Sequence, residues 1–93
     1  MIRKRREKDG HVRIMFAVTD DRPVSVVSDH NGWNPHATPL VPRANGTRSG
    51  SLLVRPGSAV RFRYLADGGE FYDDPQAQLE SNGMGGTHSV VVA

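Results

Sequence analysis

Apolar and polar residues alternate through His11–Val18, where Val12, Ile14, Phe16 and Val18 fall at every second position. A two-residue period puts such side chains on one face of a β-strand. The same period returns in Ala59–Leu65, with Val60, Phe62 and Tyr64 on one face and Arg61, Arg63 and Leu65 on the other. Val24–Ser28 is a short β-branched run, and Leu40–Val41 and Ser51–Val54 are strand fragments around an Asn45-Gly46 turn. Asp67-Gly68-Gly69 closes a hairpin into Glu70–Tyr72, which Asp73-Asp74-Pro75 ends because proline cannot donate to a ladder. Gln76–Leu79 allows one helical turn before Gly83, Gly85 and Gly86, and His88–Val92 is a last β-branched strand. About seven short strands joined by glycine and proline turns predict an all-β fold, an immunoglobulin-like antiparallel sandwich.

At 93 residues, 37% of them hydrophobic, the chain is one small domain with a thin core. That favours a surface-binding module over an enzyme with a walled active site. The absence of cysteine excludes disulfides, thiolate metal sites and cysteine nucleophiles, and it fits a reducing compartment, the cytoplasm by default. No apolar run reaches the roughly 18 residues of a membrane span, and charge follows Met1-Ile2 at once where a signal peptide would have its apolar core. Arg3, Lys4, Arg5, Arg6 and Lys8 hold five of the twelve basic residues, leaving seven against eight acidic ones from Gly10 onward. Residues 1–10 therefore read as a basic, disordered tail and residues 11–93 as a single folded domain. A body without excess positive charge argues against a groove that tracks nucleic-acid phosphates, although the tail alone could serve as an anion-binding arm or a solubilising end.

Catalytic or metal chemistry has little to build on. His11, His30, His36 and His88 lie in no zinc-type spacing, and nothing in the chain implies a cofactor. Asp73 and Asp74 are adjacent, so as strand neighbours they would face opposite ways rather than share a substrate. Gly83-Met84-Gly85-Gly86 lacks the lysine of a phosphate loop and reads as a flexible turn. What remains is aromatic. The single tryptophan, Trp33, lies in the loop-forming run Asp29–Pro35. Two placements are open to it: folded inward as a lid on the sandwich, or exposed as a flat plate able to stack on a sugar ring. Phe71 and Tyr72 are neighbours on one strand, so only one of them can share a surface with Trp33 while the other covers the core.

Four segments together resemble a known family: Val26-Val27-Ser28-Asp29-His30-Asn31-Gly32-Trp33-Asn34, Phe62-Arg63-Tyr64-Leu65-Ala66-Asp67-Gly68, Asp74-Pro75, and Gly86-Thr87-His88-Ser89-Val90-Val91-Val92. In this order and spacing, over about residues 12–92, they are similar to carbohydrate-binding module family 48. That family includes the glycogen-binding domain of the AMP-activated protein kinase β subunit and the early-set domains of isoamylases and branching enzymes. The resemblance implies an early-set sandwich that binds α-1,4-linked glucans such as glycogen, starch or maltooligosaccharide without catalysis. It implies that Trp33, in the position of the F-N-x-W tryptophan, and Phe71, before Asp74-Pro75, are stacking platforms. It further implies that Arg63, Thr87 and His88 bind sugar hydroxyls.

The chain departs from the family pattern at three of these places. His30 stands where the motif has phenylalanine, Phe71 where the second platform is commonly tryptophan, and His88 where an asparagine is usual. Gly85 occupies the place of a capping hydrophobic residue, with Met84 beside it as a substitute. The departures motivate an alternative: a protein-interaction module of the same fold, docking to a glucan-metabolising enzyme or a kinase-like partner without significant sugar affinity.

Overall fold

The computed structural model describes residues 1–93 as nine strands and no helix. They are β1 (Ile2–Arg6), β2 (Val12–Thr19), β3 (Val24–Ser28), β4 (Val41–Pro42), β5 (Thr47–Val54), β6 (Ala59–Ala66), β7 (Glu70–Tyr72), β8 (Gln78–Ser81) and β9 (Thr87–Val92). One sheet runs β1-β2-β5-β4 and the other β3-β6-β9-β8, with β7 also paired to β6. Every strand pair is antiparallel, and the two sheets pack as an immunoglobulin-like sandwich.

The period-two pattern decides what lies between the sheets. Val12, Ile14 and Phe16 of β2 and Val60, Phe62 and Tyr64 of β6 are buried, as are Val24, Val26, Leu40, Val54 and Ala66. Phe16 of one sheet meets Phe62 of the other edge-on, ring centroids 4.8 Å apart, and Tyr64 completes the cluster 5.6 Å from Phe62. Each large side chain buried this way contributes roughly 1.5–3 kcal/mol. Gly50 lies opposite Phe16, and a Cβ there would come within 2.9 Å of Leu40 Cδ2, so the missing side chain gives Leu40 its place.

Two expectations are corrected. Residues 1–10 are not a disordered tail: Ile2–Arg6 pairs with β2 from Ile2↔Phe16 to Arg6↔Val12. The run of positive charge hides a strand alternation in which Ile2 packs against the core while Arg3 and Arg5 point outward. As an edge strand, β1 uses its charges to discourage further pairing. The segment containing Gln76–Leu79 forms no helical turn, because Gln78–Ser81 pairs with β9 from Gln78↔Val90 to Ser81↔Thr87. These two strands raise the expected seven to nine.

Asp74, expected only as part of a turn, is a buried structural group. Its Oδ2 accepts from the Tyr64 hydroxyl at 2.5 Å and from the Met1 amino group at 3.2 Å, and its Oδ1 accepts from the Gln76 amide at 2.8 Å. Burial pushes this carboxyl upward, but the Tyr64, Gln76 and amino-group hydrogen bonds outweigh it and hold the pKa below the usual carboxylate value.

Candidate functional site

The site begins in the loop after β3. Asn31 holds that loop: its Oδ1 accepts from the Ser28 amide at 3.0 Å, and its Nδ2 donates to Val26 O and Thr38 Oγ1, both at 3.0 Å. The Trp33 amide then returns to Ser28 O at 2.8 Å. This tight return needs left-handed backbone at both Gly32 (φ 69°) and Trp33 (φ 56°). Trp33 is the one non-glycine residue with positive φ, a geometry that favours glycine. Of the two placements open to Trp33, the outward one is found, with 44% of the residue exposed. His30 turns the other way, its Nε2 3.2 Å from Ala59 O, and so fastens the loop to the start of β6.

Register places Arg63, Phe71 and His88 on the outer face of the same sheet. Val27 pairs with Arg63, Leu65 with Phe71, and His88 with Glu80. One step beyond the last β6–β9 pair, Phe62↔Ser89, His88 comes level with Arg63, so one row runs Val27, Arg63, His88, Glu80. The Trp33 ring lies beside this row, tilted at 6.4 Å from the His88 ring. Phe71 and Tyr72 divide as strand parity requires. Phe71 is 48% exposed on the outer face, while Tyr72 turns inward to Tyr64 at 5.3 Å between ring centroids.

Arg63 and Phe71 act as a pair, since the guanidinium carbon lies 5.3 Å from the Phe71 ring centroid in a cation–π contact. One face of the phenyl ring is thereby occupied, which leaves its other face to meet a ligand. Arg63 Nε is buried without a hydrogen-bond partner, 3.7 Å from Asp73 Oδ1. Asp73 Oδ2 accepts from the Thr87 hydroxyl at 3.0 Å, and Oδ1 from Ser89 Oγ at 2.9 Å. Thr87 has the opposite parity to His88, and its proton is committed to Asp73, so it is linked to the outer-face residues only through that carboxylate.

An ionic chain stiffens the rest of the face. Asp29 Oδ2 is 3.7 Å from Arg61 Nη1, Arg61 Nε donates to Glu80 Oε1 at 2.7 Å, and the same Oε1 lies 2.9 Å from His88 Nε2. The Arg61 hydrogen bond, with the His88 bond second, holds the Glu80 carboxyl below the usual glutamate value. A carboxylate only accepts, so Nε2 of neutral His88 carries the proton and Nδ1 is left as an acceptor. Sequence reasoning missed Asp73, Arg61 and Glu80. Alternation had put Arg61 on the same face as Arg63, but Glu80 gave no signal, lying between the helical turn expected at Gln76–Leu79 and the glycines that follow.

Met84 is 89% exposed at the tip of the β8–β9 loop, where its amide donates to Asn82 Oδ1 at 2.8 Å. No group of three or more metal-ligating side chains comes together, and no helix is long and apolar enough to cross a membrane. No protein-family model and no curated protein matches the chain. What can be said of the site follows from its geometry: an exposed indole, a phenyl ring under a guanidinium, and an imidazole oriented by a carboxylate, all on one shallow sheet face.

Proposed function

We propose that this chain is a noncatalytic module that binds α-1,4-linked glucan on the outer face of the β3-β6-β9-β8 sheet. The observation that carries the reading is Trp33, held outward on left-handed backbone 6.4 Å from His88. An indole displayed at a cost in backbone strain fits a surface that meets a ligand. In this reading Trp33 stacks on the C–H face of one glucose unit, and Phe71 packs its free side against a neighbouring unit. The terminal nitrogens of Arg63 and Nδ1 of His88 take hydroxyls. A shallow face buries little of a sugar chain, so the affinity is weak, in the millimolar to high-micromolar range. The absence of cysteine fits a cytoplasmic setting, where glycogen or a related polymer would be the ligand.

The test is a heteronuclear NMR titration of the labelled chain with maltoheptaose and β-cyclodextrin, with cellohexaose as control. Saturable shifts of the Trp33 indole N–H and of amides near Phe71 and Thr87, with the α-glucans alone, are the expected result. No shift at millimolar sugar would overturn the reading and favour a protein-docking module of the same fold.

A further inference from the structure

The outer face of the β1-β2-β5-β4 sheet carries a different chemistry. Register aligns Arg3 of β1, Met15 of β2 and Ser51 of β5 across three neighbouring strands, a width of about 10 Å from the usual strand spacing. Arg13 stands two residues from Met15 on the same face, and Arg43 follows β4 on the far side of β5. Arg3, Arg13, Arg43, Thr47, Ser49 and Ser51 all line one groove of about 490 Å³, and no carboxylate lines it.

Two of the guanidiniums are held in place by the serines. Arg13 Nη1 donates to Ser51 Oγ at 2.9 Å, and Arg43 Nε donates to Ser49 Oγ at 2.7 Å. A serine oxygen that accepts in this way keeps its own O–H free to donate to something else. Glu7 balances part of the charge through Arg13 Nε and Arg5 Nη2, from outside the groove lining. Arg3 and Arg43 are exposed and have no carboxylate partner.

We propose that this groove binds a phosphate monoester, a phosphoryl group carried by a small molecule or by a polysaccharide chain. Three guanidiniums and two free serine protons exceed what the two oxygens of a carboxylate can accept. A phosphate monoester presents three terminal oxygens and a charge of about −1.5 to −2 near neutral pH. Guanidinium forks match those oxygens in bidentate geometry. The groove has no exposed aromatic ring on which a nucleic-acid base could stack, which disfavours a single-stranded nucleic acid. The site lies on the opposite sheet from Trp33 and does not depend on the glucan reading.

The experiment is an NMR titration of the full chain at low ionic strength with inorganic phosphate, glucose 6-phosphate and a phosphorylated amylopectin fragment, with sodium chloride as control. Saturable shifts confined to the Nε–H groups of Arg13 and Arg43 and the amides of Thr47–Ser51 are expected. The double variant Arg3→Gln/Arg43→Gln should weaken binding at least tenfold with an otherwise unchanged spectrum, both positions being exposed. Tighter binding of glucose 6-phosphate points to a small-molecule source, and tighter binding of the fragment to a polysaccharide; either supports the site. Three results would overturn it: shifts that chloride reproduces, undiminished affinity in the double variant, or an oligothymidylate that displaces phosphate from the same residues.

Discussion

Trp33 holds left-handed backbone that costs a non-glycine residue roughly 1–2 kcal/mol, and the Asn31 hydrogen bonds keep it there. Replacing it with glycine removes the strain and the indole together. Trp33→Gly should therefore leave urea stability within about 1 kcal/mol of the parent while abolishing the α-glucan shifts. A large loss of stability would mean that the ring acts as a lid after all. At Asp74 the expectation concerns the core instead. Tyr64→Phe withdraws the hydroxyl that donates to a buried carboxylate, and should cost about 1–3 kcal/mol in urea unfolding at neutral pH. Because the folded Asp74 pKa is depressed, its contribution is present above the unfolded carboxylate value near pH 4 and is lost as pH falls through the folded value. The variant's deficit should accordingly shrink in acid; a deficit independent of pH would separate Tyr64 from the Asp74 charge.

At the scale of elements, β1 and β8 are the strands that composition concealed. In β1 four of the five residues are basic, and a charge run resembles a tail unless its partner strand is known. In β8 all four residues are exposed, so no buried face imposes a visible period. The β1 pairing has a direct readout in amide hydrogen exchange. The amides of Arg3 and Arg5, which sit in the hydrogen-bonded pairs with β2, should exchange at least a hundredfold more slowly than an unstructured peptide, whereas a tail would show no protection. The strands with alternating buried positions, β2 and β6, were legible because one face of each is core and the other is not. Glu80 became a site residue only through β8, which sets it opposite His88.

For the whole molecule, both tyrosines report on how the sandwich closes. Tyr72 is pushed up to about 12, first by burial and then by the Asp20 carboxylate that its hydroxyl reaches at 3.2 Å. Tyr64 is raised further, again mainly by burial and then by Asp74. Since the chain has only these two, almost no phenolate absorbance should develop near pH 10 while the protein stays folded. The raised folded pKa makes the Tyr72 contribution complete below pH 10 and lost as pH rises toward 12. Half the phenolate signal appearing near pH 10 would refute the burial of Tyr72 beside Asp20.

The period of two in His11–Val18 and Ala59–Leu65, the Asn45-Gly46 and Asp67-Gly68-Gly69 turns and the lack of any helical period were enough to specify an all-β sandwich and its core. Those are local signals, since strand parity and turn chemistry act over a few residues. The outward placement of Trp33, the choice of Phe71 over Tyr72, the burial of Asp74 and the meeting of Arg3 with Arg13 and Arg43 were decided only by tertiary structure. The outward turn of Trp33 rests on side-chain hydrogen bonds of its loop, and the others on which strands lie side by side, contacts that the two-residue period does not reveal.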